Sequence, residues 1–364
     1  MKPPLPVLLI FLLSCNYVQK DKPVSADIPI NTQPNQSIDS TCTIIAVGDM
    51  MLGTNYPDKN RFTHNNILAT LADTLKNADF TIGNLEGVLA NNTLSSQKCK
   101  DKTYCYAFRS PPAFAHYFKE AGFDYLSIAN NHSADFGNEG LKQTMQALQN
   151  AGIQYSGIKN TKEYAILENN QIKIGIIGVG HGARHIHINN YEQIVSRIKE
   201  VKEKVNLVVI FFHGGAEGDL EENVPKKQEI YLGEKRGNVH EMAHECVNAG
   251  ADLVIGSGPH VTRALELYKN KLIAYSLGNF ATYGKISVQG AKGLAPILKL
   301  VLSKNGNFVS GKIIPTMQKP MNHATPAYDS TGAVIKKLIR LSQQDFPNNN
   351  LQISPNGTLT YKNF

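Results

Sequence analysis

The stretch TIIAVGD, residues 43–49, is a β-branched apolar run that ends in a glycine and an acidic residue. Such a run predicts a buried strand, and the Gly48-Asp49 pair predicts the loop that follows it. Four later apolar runs also end in polar residues of the metal-ligand type. In chain order, the five strand-end clusters are Asp49, then Asn84 with Glu86, then Asn131 with His132, then His213, then His260.

The apolar runs alternate with segments of helical period, which predicts an α/β fold with a mainly parallel sheet. Helices are predicted at about 64–77, 111–122, 139–150, 191–204, 239–248 and 333–341, and residues 172–179 should form a central strand. Residues 264–315 have few helices between their strands, which suggests a second sheet with antiparallel pairing. Parallel strands bring their carboxyl ends to one sheet edge, so the five clusters should meet there.

The chain of 364 residues is mildly basic, with a formal charge of +7. Its lysines and arginines are scattered in small groups, which is more typical of a solvated surface than of a nucleic-acid patch. No RNA- or DNA-binding motif accompanies them, so no nucleic-acid partner is predicted. A basic surface near the site would instead attract an anionic substrate or polymer.

The amino-terminal residues 1–15 are typical of a secretion signal. Lys2 precedes an apolar stretch at 7–13 that is too short to span a bilayer. The tetrapeptide that ends at Cys15, LLSC, resembles a bacterial lipobox, which implies cleavage before Cys15 and lipid attachment to its sulfur. An ordinary cleaved signal with an incidental cysteine is the alternative. The polar, proline-bearing residues 16–40 are interpreted as a flexible tether.

The remaining cysteines would lie in an oxidising compartment outside the cytoplasm. Cys99 and Cys105 bracket a short polar loop, where a local disulfide is plausible. Cys42 and Cys246 are far apart in sequence and form either a second bridge or two buried thiols. Their spacing does not suit a cysteine-type zinc site.

The strand-end residues form a mixed set of oxygen and nitrogen ligands. Asp49 and Glu86 offer carboxylates, Asn84 and Asn131 offer amide oxygens, and His213 and His260 offer imidazoles. Such a set suits Mn, Fe or Zn better than Mg or Ca. It could hold a pair of divalent ions with a nucleophilic bridging water. Each residue alone also has an ordinary interpretation as a turn or cap residue, and only their joint occurrence supports a site.

His132 is predicted to face the substrate and to protonate a leaving oxygen, with Asp135 orienting its ring. Glu217, which follows a pair of glycines after His213, is expected behind the ligands or against the substrate, as are Asn130 and Asn279. A histidine-rich tract after the central strand is interpreted as a surface loop at the site rim rather than as a ligand set. It contains His181, His185 and His187.

Six short blocks, in this order, resemble the bacterial CapA family of poly-γ-glutamate capsule synthesis proteins, within the calcineurin-like metallophosphatase superfamily. The resemblance covers about residues 43–315. It implies a four-layer α/β/β/α sandwich with the site at the sheet edge, in an extracytoplasmic, membrane-attached protein. The blocks are Gly48-Asp49-Met50-Met51, Asn84-Leu85-Glu86-Gly87, Asn130-Asn131-His132-Ser133-Ala134-Asp135-Phe136-Gly137, His213-Gly214-Gly215-Ala216-Glu217, Gly258-Pro259-His260-Val261 and Tyr275-Ser276-Leu277-Gly278-Asn279-Phe280.

The resemblance also implies roles by position. Asp49 would be the first metal ligand, Glu86 would replace a bridging aspartate, and Asn131 would be a further ligand. His132 would be the acid, and His213 and His260 would complete the second metal. Two motifs depart from the superfamily, because Met51 stands where a histidine is usual, and Ser257 and Gly258 precede Pro259-His260 where the last motif usually pairs two histidines. One ion, two ions, a weak site and a polymer-binding site without turnover therefore stay open.

The leading hypothesis is a lipid-anchored protein of the bacterial cell envelope that acts in synthesis, export or anchoring of poly-γ-glutamate or a similar anionic polymer. It would work beside capsule synthesis machinery. A surface metal-dependent phosphoesterase or transferase, and a non-catalytic polymer-binding lipoprotein, are the alternatives. The predicted organisation is a signal at 1–15, a tether at 16–40, one domain at 41–322 and a peripheral carboxy-terminal extension at 323–364.

Overall fold

The computed structural model describes residue 1 and residues 41–58, 61–98, 106–169, 172–320 and 324–362. The predicted signal, Cys15, the tether and the Cys99–Cys105 pair lie outside the described residues and stay predictions. Among the described residues, no helix is both long enough and apolar enough to cross a bilayer.

Short strands make up most of the regular structure. The strands are β1 (Thr41–Met51), β2 (Gly53–Thr54), β3 (Arg61–Phe62), β4 (Phe80–Leu85), β5 (Val88–Leu89), β6 (Arg109–Ser110), β7 (Tyr125–Ser127), β8 (Gln154–Ser156), β9 (Tyr164–Glu168), β10 (Lys173–Gly180), β11 (Ile186–His187), β12 (Leu207–His213), β13 (Glu229–Tyr231), β14 (Glu234–Gly237), β15 (Leu253–Ser257), β16 (Leu265–Tyr268), β17 (Lys271–Ala274), β18 (Asn279–Thr282), β19 (Leu294–Ser303), β20 (Phe308–Gln318), β21 (Pro326–Tyr328), β22 (Leu351–Ile353) and β23 (Thr358–Tyr361). The α-helices are α1 (Ala72–Leu75), α2 (Ala115–Ala121), α3 (Gly137–Asn150), α4 (Tyr191–Lys202), α5 (Val239–Asn248) and α6 (Ala333–Asp345), and short 3₁₀ helices cover Ala69–Leu71, Pro112–Phe114 and Gly290–Gly293.

Two large mixed sheets organise these strands. The ten-stranded sheet has the order β22-β23-β20-β19-β1-β4-β7-β8, with β18 beside β1 and β21 beside β20. The seven-stranded sheet has the order β11-β10-β12-β15-β17-β16, with β9 beside β10. The pairs β1–β4–β7–β8 and β10–β12–β15–β17 are parallel. The prediction that residues 172–179 form a central strand is confirmed by β10.

The later strands do not form a separate sheet, which corrects the expectation for residues 264–315. Antiparallel pairing does occur there, between β16 and β17 and between β19 and β20, but these strands extend the two existing sheets. The reason is burial on both faces. In β17, Leu272 and Ala274 pack between the sheets and Ile273 packs on the helix side, which only a place inside a covered sheet provides.

Alternating side chains divide the molecule into four layers. From β1, Ile44 and Ala46 pack between the two sheets, whereas Ile45 and Val47 pack outward against α1 and α2. On the other side, the outer face of the seven-stranded sheet packs against α4 and α5, for example through Ile210. The predicted four-layer α/β/β/α sandwich is therefore confirmed.

The helix predicted at 64–77 is much shorter than expected, because regular α-helix covers only Ala72–Leu75. Side chains at the start of that segment accept backbone hydrogen bonds instead, since Thr63 Oγ1 accepts from Asn65 N–H and Asn66 Oδ1 accepts from Leu68 N–H. Such local turns compete with a helix. The end predicted at Gly122 is correct, and its φ of 99° is the left-handed cap that glycine favours.

The carboxy-terminal residues 324–362 supply α6 and the strands β21, β22 and β23. Val334 and Leu338 of α6 are fully buried in the inter-sheet core, while β22 and β23 form one edge of the ten-stranded sheet. Cys42 and Cys246 are free and buried, so of the two alternatives for this pair the structure has the buried thiols.

Candidate metal centre

Backbone register places the predicted ligand Asp49 at the sheet edge. Asp49 of β1 lies opposite Asn84 of β4 on one side and Asn279 of β18 on the other. The close approach of β18 depends on Gly48, because a Cβ atom there would lie 1.9 Å from Gly278 O. The Gly48-Asp49 pair thus places a carboxylate at the junction of three strands.

Three of the predicted ligands converge. Asp49, Glu86 and His260 have ligand atoms that all lie within 4.8 Å of one another. His260 Nδ1 is 3.2 Å from Asp49 Oδ2, and His260 Nε2 is 3.5 Å from Glu86 Oε1. We call these three residues the trio. The trio joins the two sheets, because Asp49 lies in β1 and Glu86 follows β4 of one sheet, whereas His260 follows β15 of the other.

Several buried atoms around the trio have no hydrogen-bond partner among the described residues. They include Asp49 Oδ2, both carboxylate oxygens of Glu86, Asn131 Oδ1 and His213 Nε2. A buried polar atom without a partner costs about 1–3 kcal/mol, and a charged one costs more. Oxygen and nitrogen atoms left open at one point are the donor set that a divalent cation would satisfy, so the residues present fit a metal ion.

Electrostatics at the trio also favour a positive charge. Burial raises the pKa of Glu86 well above its usual range, with Asp49 adding to the rise and His260 opposing it. Burial alone would lower the pKa of His260, but Glu86 and Asp49 raise it to about 10. Asn279 Oδ1 lies 2.9 Å from His260 Nδ1 and accepts its hydrogen, which orients the ring as expected of a residue behind a ligand. The backbone of His260 has a φ of 60°, a conformation that is uncommon outside glycine and clusters at functional sites.

His213 lies next to the trio but outside it. Its Nδ1 atom is 3.0 Å from Ser257 Oγ and 3.9 Å from Asp49 Oδ1. Burial lowers the pKa of His213 well below its usual value, so the ring is neutral. Ser257 lies in one of the motifs that depart from the superfamily pattern. It places a hydroxyl group next to His213.

Asn84 and Asn130 form a chain of side-chain hydrogen bonds that ends at the trio. The Asn130 amide donates to Asn84 Oδ1 at 3.0 Å, and the Asn84 amide donates to Asp49 Oδ1 at 2.8 Å. In this arrangement the oxygen of Asn84 is engaged with Asn130, and its nitrogen faces Asp49. Asn84, predicted as a ligand, is therefore placed where it orients one.

His132 and Asp135 form the predicted pair. His132 Nδ1–H donates to Asp135 Oδ2 at 2.8 Å, and Lys98 Nζ lies 3.3 Å from Asp135 Oδ1. The other ring nitrogen, Nε2, is 3.8 Å from Glu86 Oε1. Burial lowers the pKa of His132 although Asp135 opposes this shift. The ring is therefore neutral near pH 7, and it would act as an acid only after gaining a proton at Nε2.

A cleft with a volume of about 720 Å³ opens above these residues. Glu217 stands at its wall, where Oε1 accepts from Arg236 at 2.7 Å and Oε2 lies 3.8 Å from His260 Nε2. Sequence reasoning missed the cations and aromatic rings of the cleft, because they come from loops and from the short strands β13 and β14, which carry no motif. The lining includes His132, His260, Asn131, Lys98, Arg236, Lys285, Lys292, Tyr106, Phe108 and Tyr231.

The histidine tract is closer to the site than expected. The His181 ring stacks on His213 with a centroid distance of 5.8 Å, and its side chain is 4% exposed. His185 is buried, with Nε2 3.0 Å from Asn130 O. The interpretation as a surface loop is wrong for these two, since the loop after β10 folds inward where Gly180 permits close contact with Ala129 O. His187 lies in β11 and is half-buried.

Comparison with known proteins assigns the family. Residues 43–283 match the family model described as bacterial capsule synthesis protein PGA_cap. The match covers more than half of the chain, and the chain belongs to this family. The resemblance read from the six sequence blocks is thereby confirmed.

Individual relatives carry similar names. The capsule biosynthesis protein CapA of Bacillus anthracis is 29% identical over 296 residues, covering 76% of this chain and 66% of that protein. The PGA biosynthesis protein CapA of Bacillus subtilis (strain 168) is 27% identical over 251 residues, covering 64% and 61%. The chain therefore spans slightly less than two thirds of the length of these curated relatives. A solved structure of a novel phosphatase from Mycoplasma pneumoniae has a TM-score of 0.48 at 13% identity, covering 77% of this chain and 95% of that one.

Proposed function

We propose that this protein is an accessory factor in the synthesis, export or anchoring of poly-γ-glutamate or a similar anionic polymer. Its cleft would bind the polymer above one divalent-metal centre. The observation that carries this proposal is the buried trio with its unpartnered oxygens at the floor of a cleft lined by cations. Membership of the capsule synthesis family supports a polymer of this class as the ligand.

The trio would hold the ion through Asp49, Glu86 and His260, with Asn131 Oδ1 as a further oxygen donor. Mixed oxygen and nitrogen donors suit Mn, Fe or Zn. A bound ion of this kind supplies Lewis-acid polarisation of a carbonyl or phosphoryl oxygen. The trio would hold one ion, and a second ion would need His213, which lies outside the trio with Nδ1 on Ser257 and Nε2 unpartnered.

The cleft residues would bind and orient the polymer. Lys98, Lys285, Lys292 and Arg236 present positive charges toward the opening, and carboxylate groups are the natural partners of such charges. Arg236 pairs with Glu217, Lys98 with Asp135 and Lys292 with Asp219, so the polymer carboxylates would compete with these pairs for the cations. Tyr106 and Tyr231 supply flat surfaces against which an extended chain can lie.

A second candidate function is phosphoester hydrolysis or transfer. The specific observation in its favour is the His132–Asp135 pair beside the trio, since Asp135 fixes the tautomer and leaves Nε2 to accept or return a proton. Polymer binding alone would not require this pair. The same pair would serve if the protein cleaves or transfers the polymer itself.

The test compares the wild-type protein with Asp49→Asn and His132→Gln, and with His116→Gln as a control on an exposed helix. Binding of poly-γ-glutamate is measured by calorimetry, and hydrolysis is measured on a panel of phosphate mono- and diesters. Polymer binding that Asp49→Asn weakens, without hydrolysis, supports the accessory role. Hydrolysis that His132→Gln abolishes, without polymer binding, would replace it with the phosphoesterase.

We also propose that the protein is held at the outer face of the membrane by a lipid on Cys15. Support comes from the sequence alone, through the apolar stretch at 7–13 and the lipobox-like LLSC. A Cys15→Ser variant should move from the membrane fraction to the soluble fraction. Continued membrane attachment of that variant would contradict the proposal.

A further inference from the structure

A second group of ligand-type side chains lies away from the cleft, between helix α5 and the edge strand β16. His240, His244 and Glu266 have ligand atoms within 4.8 Å of one another. None of the three lines the cleft. We call these residues the α5 cluster.

Helical spacing explains how the two imidazoles meet. His240 and His244 are four residues apart on α5, so they lie on the same face of the helix, with ring centroids 4.2 Å apart. Glu266 belongs to β16, which pairs antiparallel with β17 at the end of the seven-stranded sheet. Its Oε2 atom is 2.9 Å from His244 Nε2. The cluster thus joins a helix to a strand.

Aromatic side chains hold both imidazoles in place. The His244 ring stacks on Tyr268 at a centroid distance of 3.8 Å with an interplanar angle of 12°. The His240 ring is parallel to Tyr275 and Phe346, with angles of 11° to each. Tyr275 Oη–H also donates to Glu266 Oε2 at 2.7 Å. Restricted rings and a hydrogen-bonded carboxylate are the features that keep metal ligands in one orientation.

We propose that the α5 cluster is a second metal site, which takes Zn²⁺ or a similar transition-metal ion through two imidazoles and one carboxylate. Three such donors with an open fourth position are a common zinc environment. The three donor atoms lie within 4.8 Å of one another, and a tetrahedral ion with ligands at about 2.0–2.2 Å would bring them to about 3.3–3.6 Å apart. His240 and His244 are half-buried, so an ion can enter from solvent and keep a water as its fourth ligand.

Zinc with three protein ligands and a water is the arrangement of catalytic sites, whereas structural sites are closed by a fourth protein ligand. None of the three residues lines the cleft above the trio, and aromatic rings pack against both imidazoles, so we assign the ion a structural role. An ion there would tie α5 to β16 and stabilise the outer helix layer against the seven-stranded sheet. Metal that binds only the folded state stabilises it in proportion to ion concentration and affinity.

The first test counts bound zinc. The full-length protein is stripped with a chelator, equilibrated with Zn²⁺, desalted and analysed for metal. His240→Ala and His244→Ala should each bind one equivalent less than wild type, while Asp49→Ala should lose the cleft equivalent and keep this one. His116→Ala is the matched control, because His116 pairs with Glu120 on an exposed helix surface at 3.1 Å, and no third ligand joins them among the described residues. Wild-type zinc content in both α5 variants would overturn the proposal.

The second test separates metal binding from a purely structural ion pair. In the Asp49→Ala background, Zn²⁺ should raise the thermal midpoint, and adding His240→Asn should remove that increase. His240 makes no hydrogen bond to Glu266 in the structure, so the second substitution leaves the His244–Glu266 pair in place. Glu266→Gln should weaken zinc binding at least about tenfold. A midpoint unaffected by Zn²⁺ in the Asp49→Ala protein would leave only the ion pair and refute the site.

Discussion

The two sheets make different contributions to the candidate metal centre. The ten-stranded sheet carries Asp49 in β1 and is followed by Glu86 after β4 and the His132–Asp135 pair after β7, whereas the seven-stranded sheet supplies His213 at the end of β12 and His260 after β15. One sheet therefore supplies the oxygen donors and the other supplies the nitrogen donors. Neither sheet contains the trio by itself, so the centre depends on how the two sheets pack.

The inter-sheet core sets that packing. Phe211 of the seven-stranded sheet and Tyr125 of the ten-stranded sheet have ring centroids 6.4 Å apart and are fully buried. The core is built almost entirely from aliphatic and aromatic side chains, so it fixes the distance between the sheets without specifying any chemistry. The polar site forms only at the edge where this core ends.

The largest expected effect on stability comes from loosening the packing between the two sheets. Phe211→Ala should lower the free energy of unfolding by about 3–5 kcal/mol, because it leaves a cavity in the inter-sheet core. Urea denaturation measures the loss, and metal content should fall with it although Phe211 is not a ligand. Val309→Ala, at a residue that is 43% exposed, is the control. Full metal content in Phe211→Ala would mean that the centre does not depend on inter-sheet packing.

The next effect separates the oxygen half of the trio from the nitrogen half. Asp49→Ala should weaken binding of all divalent ions at the trio by about 100-fold or more, because loss of a direct ligand should exceed the loss of its supporting partner. His260→Asp should keep Mn²⁺ binding but lose affinity for Zn²⁺, because carboxylates suit Mn²⁺ better than imidazoles do. Competition titration of the two ions measures both. Equal loss of both ions in His260→Asp would refute the division of roles.

Acid should lower the free energy of unfolding through His181, whose ring stacks on His213. Burial, helped by Arg236, lowers the pKa of His181 to about 3, whereas the unfolded chain has the ordinary value near 6.5. The unfolded state therefore binds the proton first, and the neutral ring's contribution to stability is lost as the pH falls below about 6.5. Between pH 7.5 and 5.5 this amounts to about 1.4 kcal/mol.

His181→Phe keeps an aromatic ring against His213 but cannot titrate. Urea denaturation at the two pH values should show a fall in unfolding free energy that is about 1.4 kcal/mol smaller in this variant than in wild type. His116→Phe, at an exposed position, controls for the added ring. The same pH dependence in His181→Phe and wild type would contradict the prediction.

The smallest expected effect concerns the cleft wall. Lys285→Ala and Lys292→Ala should each weaken binding of poly-γ-glutamate by up to about fivefold, since partly exposed charges are worth about 0–1 kcal/mol. Added salt should reduce the difference between variant and wild type. Lys336→Ala, on the exposed side of α6, is the control. Equal losses in all three variants would indicate binding by net charge rather than by the cleft.

The residues at the strand ends were predictable from the sequence because short local patterns determine where a strand ends. An apolar run fixes a strand, and parallel pairing then carries Asp49 and Glu86 to one edge of the ten-stranded sheet and His260 to one edge of the seven-stranded sheet. The roles of Asn84 and His181 were not predictable, because they depend on which atom faces which neighbour across two strands. The lysines of the cleft were missed for a similar reason. Lys98 and Lys285 line the same cleft only because of the fold, and they share no sequence pattern.

The two buried thiols place a chemical probe in each half of the molecule. Cys42 of β1 lies between the sheets and Cys246 lies on the buried face of α5, and burial raises the pKa of both thiols, that of Cys42 to about 12. Neither sulfur reacts readily while its layer stays closed, because the reactive form is the thiolate. Their alkylation rates thus report two separate opening events, one in which the sheets part and one in which the outer helix lifts away.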